Sequence, residues 1–431
     1  MSDHAAHRSR LLAGLGPDEA LLVFSAPTAR RNGDSEYRYR PSSDLFWLTG
    51  WEEPDAAAFF RPGDTPWTHF AAPRDPDREV WEGPRGGPQG AKAMGAADAW
   101  PIEALPRELP RLLTGVRALH VALGEDAEHD AIVLSAVRRI AKLARTLGHA
   151  SPETFHAPWK LLHELRLIKG ADEVEALRRA AALTAVAHRA AMRATRPGAR
   201  EYEVEAAIVA ATLAGGGTGV GYTPIVAAGA HATTLHHISN RGLLADGDLL
   251  LVDAGSEVGW YTADVTRTWP IGRRFSQIQR DAYEVVLAAQ QAAIAAVAPG
   301  SDFVAVHSAA ERTLAEGLGE LGLLKGPDRT ADLKRYYMHF TGHWLGLDVH
   351  DAGLYARDGR PRRFEPGMVV TVEPGVYVQA TDPDAPAAWR GLGIRIEDDV
   401  LVTETGCEVL TAAIPKSVDA LHALRDEDLG A

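Results

Sequence analysis

Residues 249–269 read LLLVDAGSEVGWYTADVTRTW, and this stretch decides how the second half of the chain is interpreted. Four apolar residues lead into Asp253, which is typical of a buried strand that ends on a carboxylate. The alternation in YTADVTRTW then places Thr262, Asp264 and Thr266 on one face of a second strand. A carboxylate at the end of a buried strand loses solvation unless a partner compensates it. Taken singly, each aspartate is most simply a turn cap or a solvent-facing residue.

Two later segments repeat the pattern of a carboxylate beside a strand. In VVTVEPG, residues 369–375, Glu373 follows an apolar and β-branched run and precedes a Pro-Gly turn. In IRIEDD, residues 394–399, alternation places Arg395 and Glu397 on the same face. Alone, the first is a structural turn residue and the second a surface ion pair. Together with the aspartates they form a set of four strand-borne carboxylates.

A histidine cluster accompanies these carboxylates. The segment MHFTGHWLGLDVHD, residues 338–351, contains His339, His343 and His350. The first two have the i, i+4 spacing of a zinc-protease helix, but no glutamate lies between them, and Gly342 and Gly346 disfavour a helix. The HExxH motif is therefore rejected. Each histidine alone is more simply a hydrogen-bonded core residue than a ligand.

Gathering four carboxylates in one pocket requires cations. Two ionised carboxylates 4 Å apart repel by about 4 kcal/mol at an effective dielectric constant near 20. A total charge of −4 is balanced by two divalent ions, and oxygen donors with one imidazole suit manganese better than thiolate-seeking metals. Zinc and cobalt are the alternatives. Such a dinuclear site acidifies a shared water and holds both ends of a hydrolysed bond.

Composition excludes several classes of protein and partner. The 431 residues include 45 Lys and Arg against 58 Asp and Glu, a formal charge of −13 that argues against nucleic acid. Cys407 is the sole cysteine, which excludes an intrachain disulfide and favours the cytoplasm. Neither a signal-peptide core nor an apolar run of about 18 residues is present, so we expect no membrane partner.

The pattern of the sequence changes near residue 168, from short strand-like apolar runs to long helix-forming stretches. Before it, short apolar runs such as ALLVFSA, DLFWLTG, AAAFF and HFAAP predict strands, and a helical pattern covers 131–147. After it, helices are predicted over 203–213, 277–297 and 303–318, and GGGTGVG at 215–221 is interpreted as a flexible loop. We therefore predict an α+β protein: a mixed α/β N-terminal domain, 1–167, and a catalytic domain with a largely antiparallel sheet, 168–431. Ser276 and Gln279 predict a capping box for the second of these helices.

At these residues the chain resembles the aminopeptidase P (Xaa-Pro aminopeptidase) branch of the pita-bread metallopeptidases, over nearly its whole length. The five metal ligands of the family are matched in order and context by Asp253, Asp264, His343, Glu373 and Glu397. The resemblance implies that Asp264 and Glu397 bridge two ions. It also implies that Asp253 completes one ion, and that His343 and Glu373 complete the other.

The resemblance also implies roles outside the ligand set. Catalytic histidines of the family correspond to His236, His339 and His350. His237, the neighbour of the first, is left out. Tyr377 and Arg395 match a network that positions the ligating carboxylates. One departure is Phe-Thr-Gly at 340–342, where the family pattern has a Gly-Leu/Thr-Ser type of segment.

The N-terminal half carries part of the resemblance. Residues 34–56, DSEYRYRPSSDLFWLTGWEEPDA, resemble the start of the bacterial enzymes, which argues against methionine aminopeptidases that lack this domain. Trp81, in EVWEGPRGG, lies in a segment that resembles one contributing an aromatic residue near a neighbouring subunit's site. A core position is the alternative for Trp81. The resemblance implies a homo-oligomer, either a dimer or a tetramer.

The function implied is hydrolysis of the N-terminal Xaa-Pro bond of peptides by a hydroxide bound between two metal ions, with Glu373 handling its proton. Prolidase, which cleaves only Xaa-Pro dipeptides, is the nearest alternative, and a non-catalytic binding protein on the same fold is a more distant one. Creatinase-type amidinohydrolases share the fold but lack the metal ligands. The complete ligand set argues against the last two.

Overall fold

The computed structural model describes residues 3–430. The chain divides into two compact units, one ending at Arg166 and the other beginning at Leu167. Each unit has its own buried apolar core. They are described separately below.

The N-terminal unit is a mixed sheet with helices on its connections. Its helices are α1 (His4–Gly14), α2 (Ser43–Thr49), α3 (Pro76–Glu82), α4 (Gly87–Ala93), α5 (Leu105–Leu112), α6 (Ala127–Leu147) and α7 (Leu162–Leu167). Its strands are β1 (Glu19–Phe24), β2 (Arg30–Asn32), β3 (Ser35–Glu36), β4 (Ala56–Phe60), β5 (Trp67–Ala71), β6 (Asp98–Pro101), β7 (Ala118–His120) and β8 (Thr154–His156).

Six of these strands form one sheet in the order β6-β5-β4-β1-β7-β8. Strand β1 pairs in parallel with β7 and antiparallel with β4. Residues of β4 and β5 are buried along their whole lengths; the run AAAFF in β4 is continuously apolar, whereas β5 also buries Thr68 and His69. The mixed α/β character expected for the first domain is therefore present.

One predicted strand of this unit is wrong. The run DLFWLTG forms helix α2, because Ser42 caps it by accepting a hydrogen bond from the Leu45 amide at 3.4 Å. Gly50 ends the helix in the left-handed conformation, with φ +72°. Most of its residues are buried, so the apolar run looked like a buried strand.

The C-terminal unit has helices α8 (Ala171–Ala194), α9 (Glu201–Ala214), α10 (Gln277–Ala295), α11 (Phe303–Glu320), α12 (Arg329–Leu333) and α13 (Val418–Gly430). Its strands are β9 (Gly219–Val220), β10 (Ile225–Ala228), β11 (Leu249–Asp253), β12 (Ser256–Val258), β13 (Tyr261–Thr262), β14 (Thr266–Pro270), β15 (Ala356–Arg357), β16 (Arg360–Pro361), β17 (Val369–Val372), β18 (Gly375–Tyr377), β19 (Gly393–Arg395), β20 (Asp398–Val402) and β21 (Cys407–Val409).

The strand pairings described in this unit are antiparallel, as predicted. They form small sheets, among them β10-β11-β14 and β17-β20-β21. Helices α9, α10 and α11 cover the predicted helical segments, and the capping box exists: the Ser276 amide donates to Gln279 at 2.9 Å. The expected loop at 215–221 is partly ordered as β9, which pairs with β12.

Strand register brings the predicted ligands together. Asp253, at the end of β11, lies opposite Thr266 at the start of β14. Val372, at the end of β17, lies opposite Asp398 at the start of β20. Because antiparallel partners run in opposite directions, the residue that follows β17 and the residue that precedes β20 lie at the same end of the strand pair.

No helix among residues 3–430 combines the length and apolar character needed to cross a bilayer.

Candidate metal centre

A cavity of about 900 Å³ in the C-terminal unit is lined by all five predicted metal ligands. These are Asp253, Asp264, His343, Glu373 and Glu397. Donor atoms of three of them, Asp264, His343 and Glu397, lie within 4.8 Å of one another. The structure therefore brings together side chains that are up to 144 positions apart in the sequence.

The two aspartates lie on opposite arms of one hairpin, in which the Ala254 amide donates to the Val265 carbonyl at 3.0 Å. Asp253 ends β11, whereas Asp264 lies between β13 and β14 in the predicted strand YTADVTRTW, which is interrupted there. Gly255 lets the two arms approach closely, since a Cβ atom at that position would lie 1.7 Å from the Ala263 carbonyl oxygen. The Asp264 amide donates to both carboxylate oxygens of Asp399, each at 3.2 Å.

The two glutamates meet through the register of β17 and β20. Glu373 follows the first strand directly, and Glu397 precedes the second. Glu397 accepts a 2.7 Å hydrogen bond from the hydroxyl of Thr266, and its amide donates to the Thr266 carbonyl at 3.0 Å. Thr266 therefore connects Glu397 to the strand that lies beside Asp253.

His343 is oriented by its backbone and by one ring nitrogen. Its amide donates to Thr371 Oγ1 at 3.1 Å. This approach requires a glycine at position 342, because a Cβ atom there would lie 1.9 Å from the Thr371 carbonyl oxygen. Its Nδ1 donates to the Trp344 carbonyl at 2.9 Å. Nε2 then faces the carboxylates, 3.3 Å from Asp264 and 3.7 Å from Glu373. The residues around it are not helical, as Gly342 and Gly346 predict.

Tyr222 is a site residue that sequence reasoning missed. Its hydroxyl lies 2.6 Å from Asp253 Oδ1 and 2.5 Å from Asp264 Oδ1. Burial and the two charges raise its pKa well above the ordinary value, so it stays a donor. The hydroxyl has one proton for two carboxylate acceptors, so it compensates their charge only in part. Burial raises the pKa of Asp253, which shows that a charge is costly at this position.

A buried chain of hydrogen bonds supports the ligands. Arg395 donates to Asp253 at 2.6 Å, to Thr266 Oγ1 at 3.0 Å and to the Tyr377 hydroxyl at 3.1 Å. Tyr377 in turn lies 2.8 Å from His339 Nε2, and His339 Nδ1 donates to a backbone carbonyl at 2.8 Å. Nε2 is therefore an acceptor from Tyr377. Burial and the Arg395 charge lower the pKa of His339 to about 4, which keeps its ring neutral.

The remaining electrostatics show a site with excess negative charge. Burial and the neighbouring carboxylates raise the pKa of Glu397 well above its ordinary value, and burial raises the pKa of Glu373 to about 7. Burial opposes protonation of His343, but its hydrogen bond to Asp264 and the carboxylate charges outweigh this and raise its pKa to about 9. Without cations, the cluster thus retains protons at neutral pH.

The donor set fits divalent metal ions. Four carboxylates and one imidazole nitrogen line the same cavity, and the guanidinium of Arg395 balances part of their negative charge. In metal sites of this kind, bound cations supply the positive charge that protons supply here. Oxygen-rich donors with one imidazole are typical ligands of first-row divalent ions.

The other predicted histidines face the same cavity. His236 and His350 both line it, and the ring of His350 stands perpendicular to that of His343, with centroids 4.3 Å apart. His339 also lines the cavity, and its Nδ1 lies 3.8 Å from Glu373 Oε2. Trp81, on α3 of the N-terminal unit, is 89% exposed, so its alternative assignment to a core is wrong.

Comparisons with known proteins identify the family. Residues 175–404 match metallopeptidase family M24, and residues 4–121 match the N-terminal domain of aminopeptidase P. The Xaa-Pro aminopeptidase of Escherichia coli is 39% identical over 97% of this chain and 96% of that protein.

Solved structures are similar over the whole chain. An aminopeptidase of Pseudomonas aeruginosa is 42% identical with a TM-score of 0.95, covering 100% of this chain and 98% of that one. A zinc-substituted Escherichia coli aminopeptidase P in complex with product is 38% identical with a TM-score of 0.94, covering 99% and 98%. The predicted fold class, a mixed α/β domain followed by a pita-bread domain, is confirmed. The chain belongs to metallopeptidase family M24 and, within it, to the aminopeptidase P enzymes, which are metal-dependent hydrolases.

Proposed function

We propose that this chain is an Xaa-Pro aminopeptidase, which removes the N-terminal residue from peptides whose second residue is proline. The observation that carries the proposal is the convergence of all five ligand side chains on one cavity large enough for a peptide end. The substrate class named for the Escherichia coli relative supports it.

Five residues would hold two divalent ions. Asp264 and Glu397 would serve both ions, Asp253 would help to hold one, and His343 and Glu373 would help to hold the other. The proximity of Asp264, His343 and Glu397 supports this division. When bound, the ions polarise the scissile carbonyl and lower the pKa of a coordinated water.

The protein's own groups manage protons and orientation. Glu373 carries the proton from the attacking water to the leaving proline nitrogen, since its carboxylate lines the cavity. His236 and His350 donate hydrogen bonds to the carbonyl oxygen as it gains negative charge. Arg395, Tyr377 and His339 hold the carboxylates in place through the buried hydrogen-bond chain.

Recognition of proline rests on shape rather than on a hydrogen bond. The Xaa-Pro amide has no N–H to donate. The cavity wall includes the apolar side chains of Ile225, Leu235 and Val349, which offer contacts to a ring. The acidic ligand cluster attracts the substrate's free amine.

The proposal also covers the metal, the oligomeric state, the cellular location and the domain boundaries. Manganese is the expected metal, with zinc and cobalt as alternatives, because the donors are mostly oxygen. The exposed Trp81 supports a homo-oligomer, dimer or tetramer, in which a partner covers it. The single cysteine supports a cytoplasmic protein. The two compact units support domains at 1–167 and 168–431.

A substrate panel tests the proposal. With manganese added, we expect an Xaa-Pro-Xaa tripeptide to be cleaved with higher kcat/KM than the Xaa-Pro dipeptide, and an Xaa-Ala-Xaa control to lose most of the rate. Cleavage confined to the dipeptide would make the enzyme a prolidase. Equal rates with alanine and proline would make it a general aminopeptidase.

A further inference from the structure

A second group of titratable side chains lies outside the metal ligands. Glu201 begins α9, and its side chain is fully buried. Its carboxylate accepts four hydrogen bonds: from the amides of Ala228 at 2.9 Å and Gly242 at 2.6 Å, from His231 Nδ1 at 2.7 Å and from His237 Nε2 at 3.0 Å. Each carboxylate oxygen thus has one backbone and one imidazole partner.

The arrangement is tightly packed. The rings of His231 and His237 stack with centroids 4.4 Å apart and an interplanar angle of 24°. A Cβ on Gly242 would lie 2.6 Å from Glu201 Oε1, so only glycine permits this approach. A buried carboxylate with four donors holds those donors in place, because moving any one of them would leave the buried charge with too few hydrogen bonds.

The segment that carries His237 also forms the cavity wall. Leu235, His236 and Ile238 line the cavity, whereas the intervening His237 reaches Glu201. Its far end is fixed by Asn240, which donates to the Pro224 carbonyl at 2.8 Å and accepts from the Val226 amide at 3.0 Å. His236 therefore faces the cavity, whereas its neighbour His237 faces Glu201.

We propose that Glu201, through the hydrogen bond from His237, is a positioning residue that holds the imidazole of His236 at the cavity wall. This inference rests on the proposed function, in which His236 contacts the substrate. Release of His237 would remove the anchor directly after His236 and displace that imidazole. Displacements of about 1 Å in a positioned group lower rates by up to about 100-fold.

The alternative occupant of this cluster is a metal ion. Donor atoms of Glu201, His231 and His237 lie within 4.8 Å of one another, and two imidazoles with a carboxylate resemble a zinc set. However, the four hydrogen bonds already use the lone pairs of the carboxylate. An ion would have to displace both imidazole donors, and the hydrogen-bonded arrangement is therefore favoured.

Single variants provide the first test. His237→Phe keeps a ring but removes the donor, while both backbone bonds to Glu201 remain. We expect kcat for an Xaa-Pro-Xaa tripeptide to fall between about 10- and 100-fold with unchanged metal content. His237→Gln, whose amide has a similar reach, should recover most of the rate. Glu203→Gln is a control outside the cluster: it lies on the helix that carries Glu201 but contacts Arg196, and it should have the wild-type rate.

A double-mutant cycle separates positioning from general damage. In the His236→Ala background, His237→Phe should cost almost nothing further, because the group that it positions is absent. An equal loss in both backgrounds would overturn the inference. So would a third bound divalent ion, detected by metal analysis, that disappears in His231→Gln. A wild-type enzyme indifferent to proline would refute the proposed function alone, since the same cycle can be measured with any peptide that it cleaves.

Discussion

The guanidinium of Arg395 lies 2.6 Å from the carboxylate of Asp253, and both side chains are buried. The same guanidinium donates to Thr266 and Tyr377 through its other nitrogens. One planar cation therefore sets the orientation of a proposed metal ligand and of the two hydroxyl groups behind it.

Arg395→Lys should weaken metal binding about 10- to 100-fold, because an ammonium cannot reproduce three directed hydrogen bonds from one plane. Metal affinity is measured by equilibrium dialysis of the metal-free protein. Arg390→Lys is the matched control, since Arg390 donates only to backbone carbonyls at a nearby turn. Wild-type affinity in Arg395→Lys would contradict the orienting role.

Asp264→Asn should abolish both activity and binding of the two ions, because a neutral amide is a poor bridging ligand. Metal analysis alongside peptide hydrolysis checks this. Asp281→Asn, on α10 and outside the cavity lining, should retain both properties. A normal rate in Asp264→Asn, or full activity after dialysis against a chelator, would disprove the dinuclear mechanism.

His236→Ala and His350→Ala should each keep bound metal while lowering kcat by at least about 100-fold, the usual scale for a lost oxyanion donor. Steady-state kinetics and metal content are measured on the same samples. An unchanged kcat in both variants would leave these histidines as wall residues without a chemical role.

Metal binding to the metal-free protein should release protons at pH 7. His343, whose pKa is raised to about 9, carries a proton there and must lose it to bind metal, and the raised pKa of Glu397 acts in the same direction. Affinity should therefore rise with pH. Calorimetry in two buffers of different ionisation enthalpy gives the number of protons, and identical heats in both would refute the expectation.

Arg267→Met should lower the free energy of unfolding by about 3 kcal/mol, because it leaves the Asp398 carboxylate short of its buried partner. The pair is 2.7 Å apart with both side chains fully buried. Arg178→Met is the control: its 2.7 Å pair with Glu408 is exposed, so the change should stay within about 1 kcal/mol. Denaturant unfolding compares the two, and equal effects would contradict the assignment.

Much of the proposed metal centre could be predicted because its carboxylates lie where strands end. Strand β11 ends on Asp253 and Glu373 directly follows β17, and alternation placed Thr266 beside the aspartates, where it binds Glu397. The strand predicted through Asp264 is interrupted there, where Gly255 of the opposite hairpin arm lies close to the Ala263 carbonyl. Periodicity carries no information on such close approaches.

The contacts made by loops could not be predicted. Tyr222 follows a glycine-rich run that looked flexible, and nothing in its local pattern indicates two carboxylate partners. Asp399 was visible in IRIEDD, but its pairing with the Asp264 amide depends on tertiary approach. Helix α2 was mistaken for a strand because a short buried apolar run fits both elements.

The spread of the ligands along the chain has a consequence for biogenesis. They run from Asp253 to Glu397, and the last of them is held by Thr266 across β14. A growing polypeptide thus contains Asp253 and Asp264 long before Glu397 has been synthesised. With these residues as the proposed ligands, the complete site can form only once nearly the whole chain has been made, and we expect metal to be acquired at that late stage.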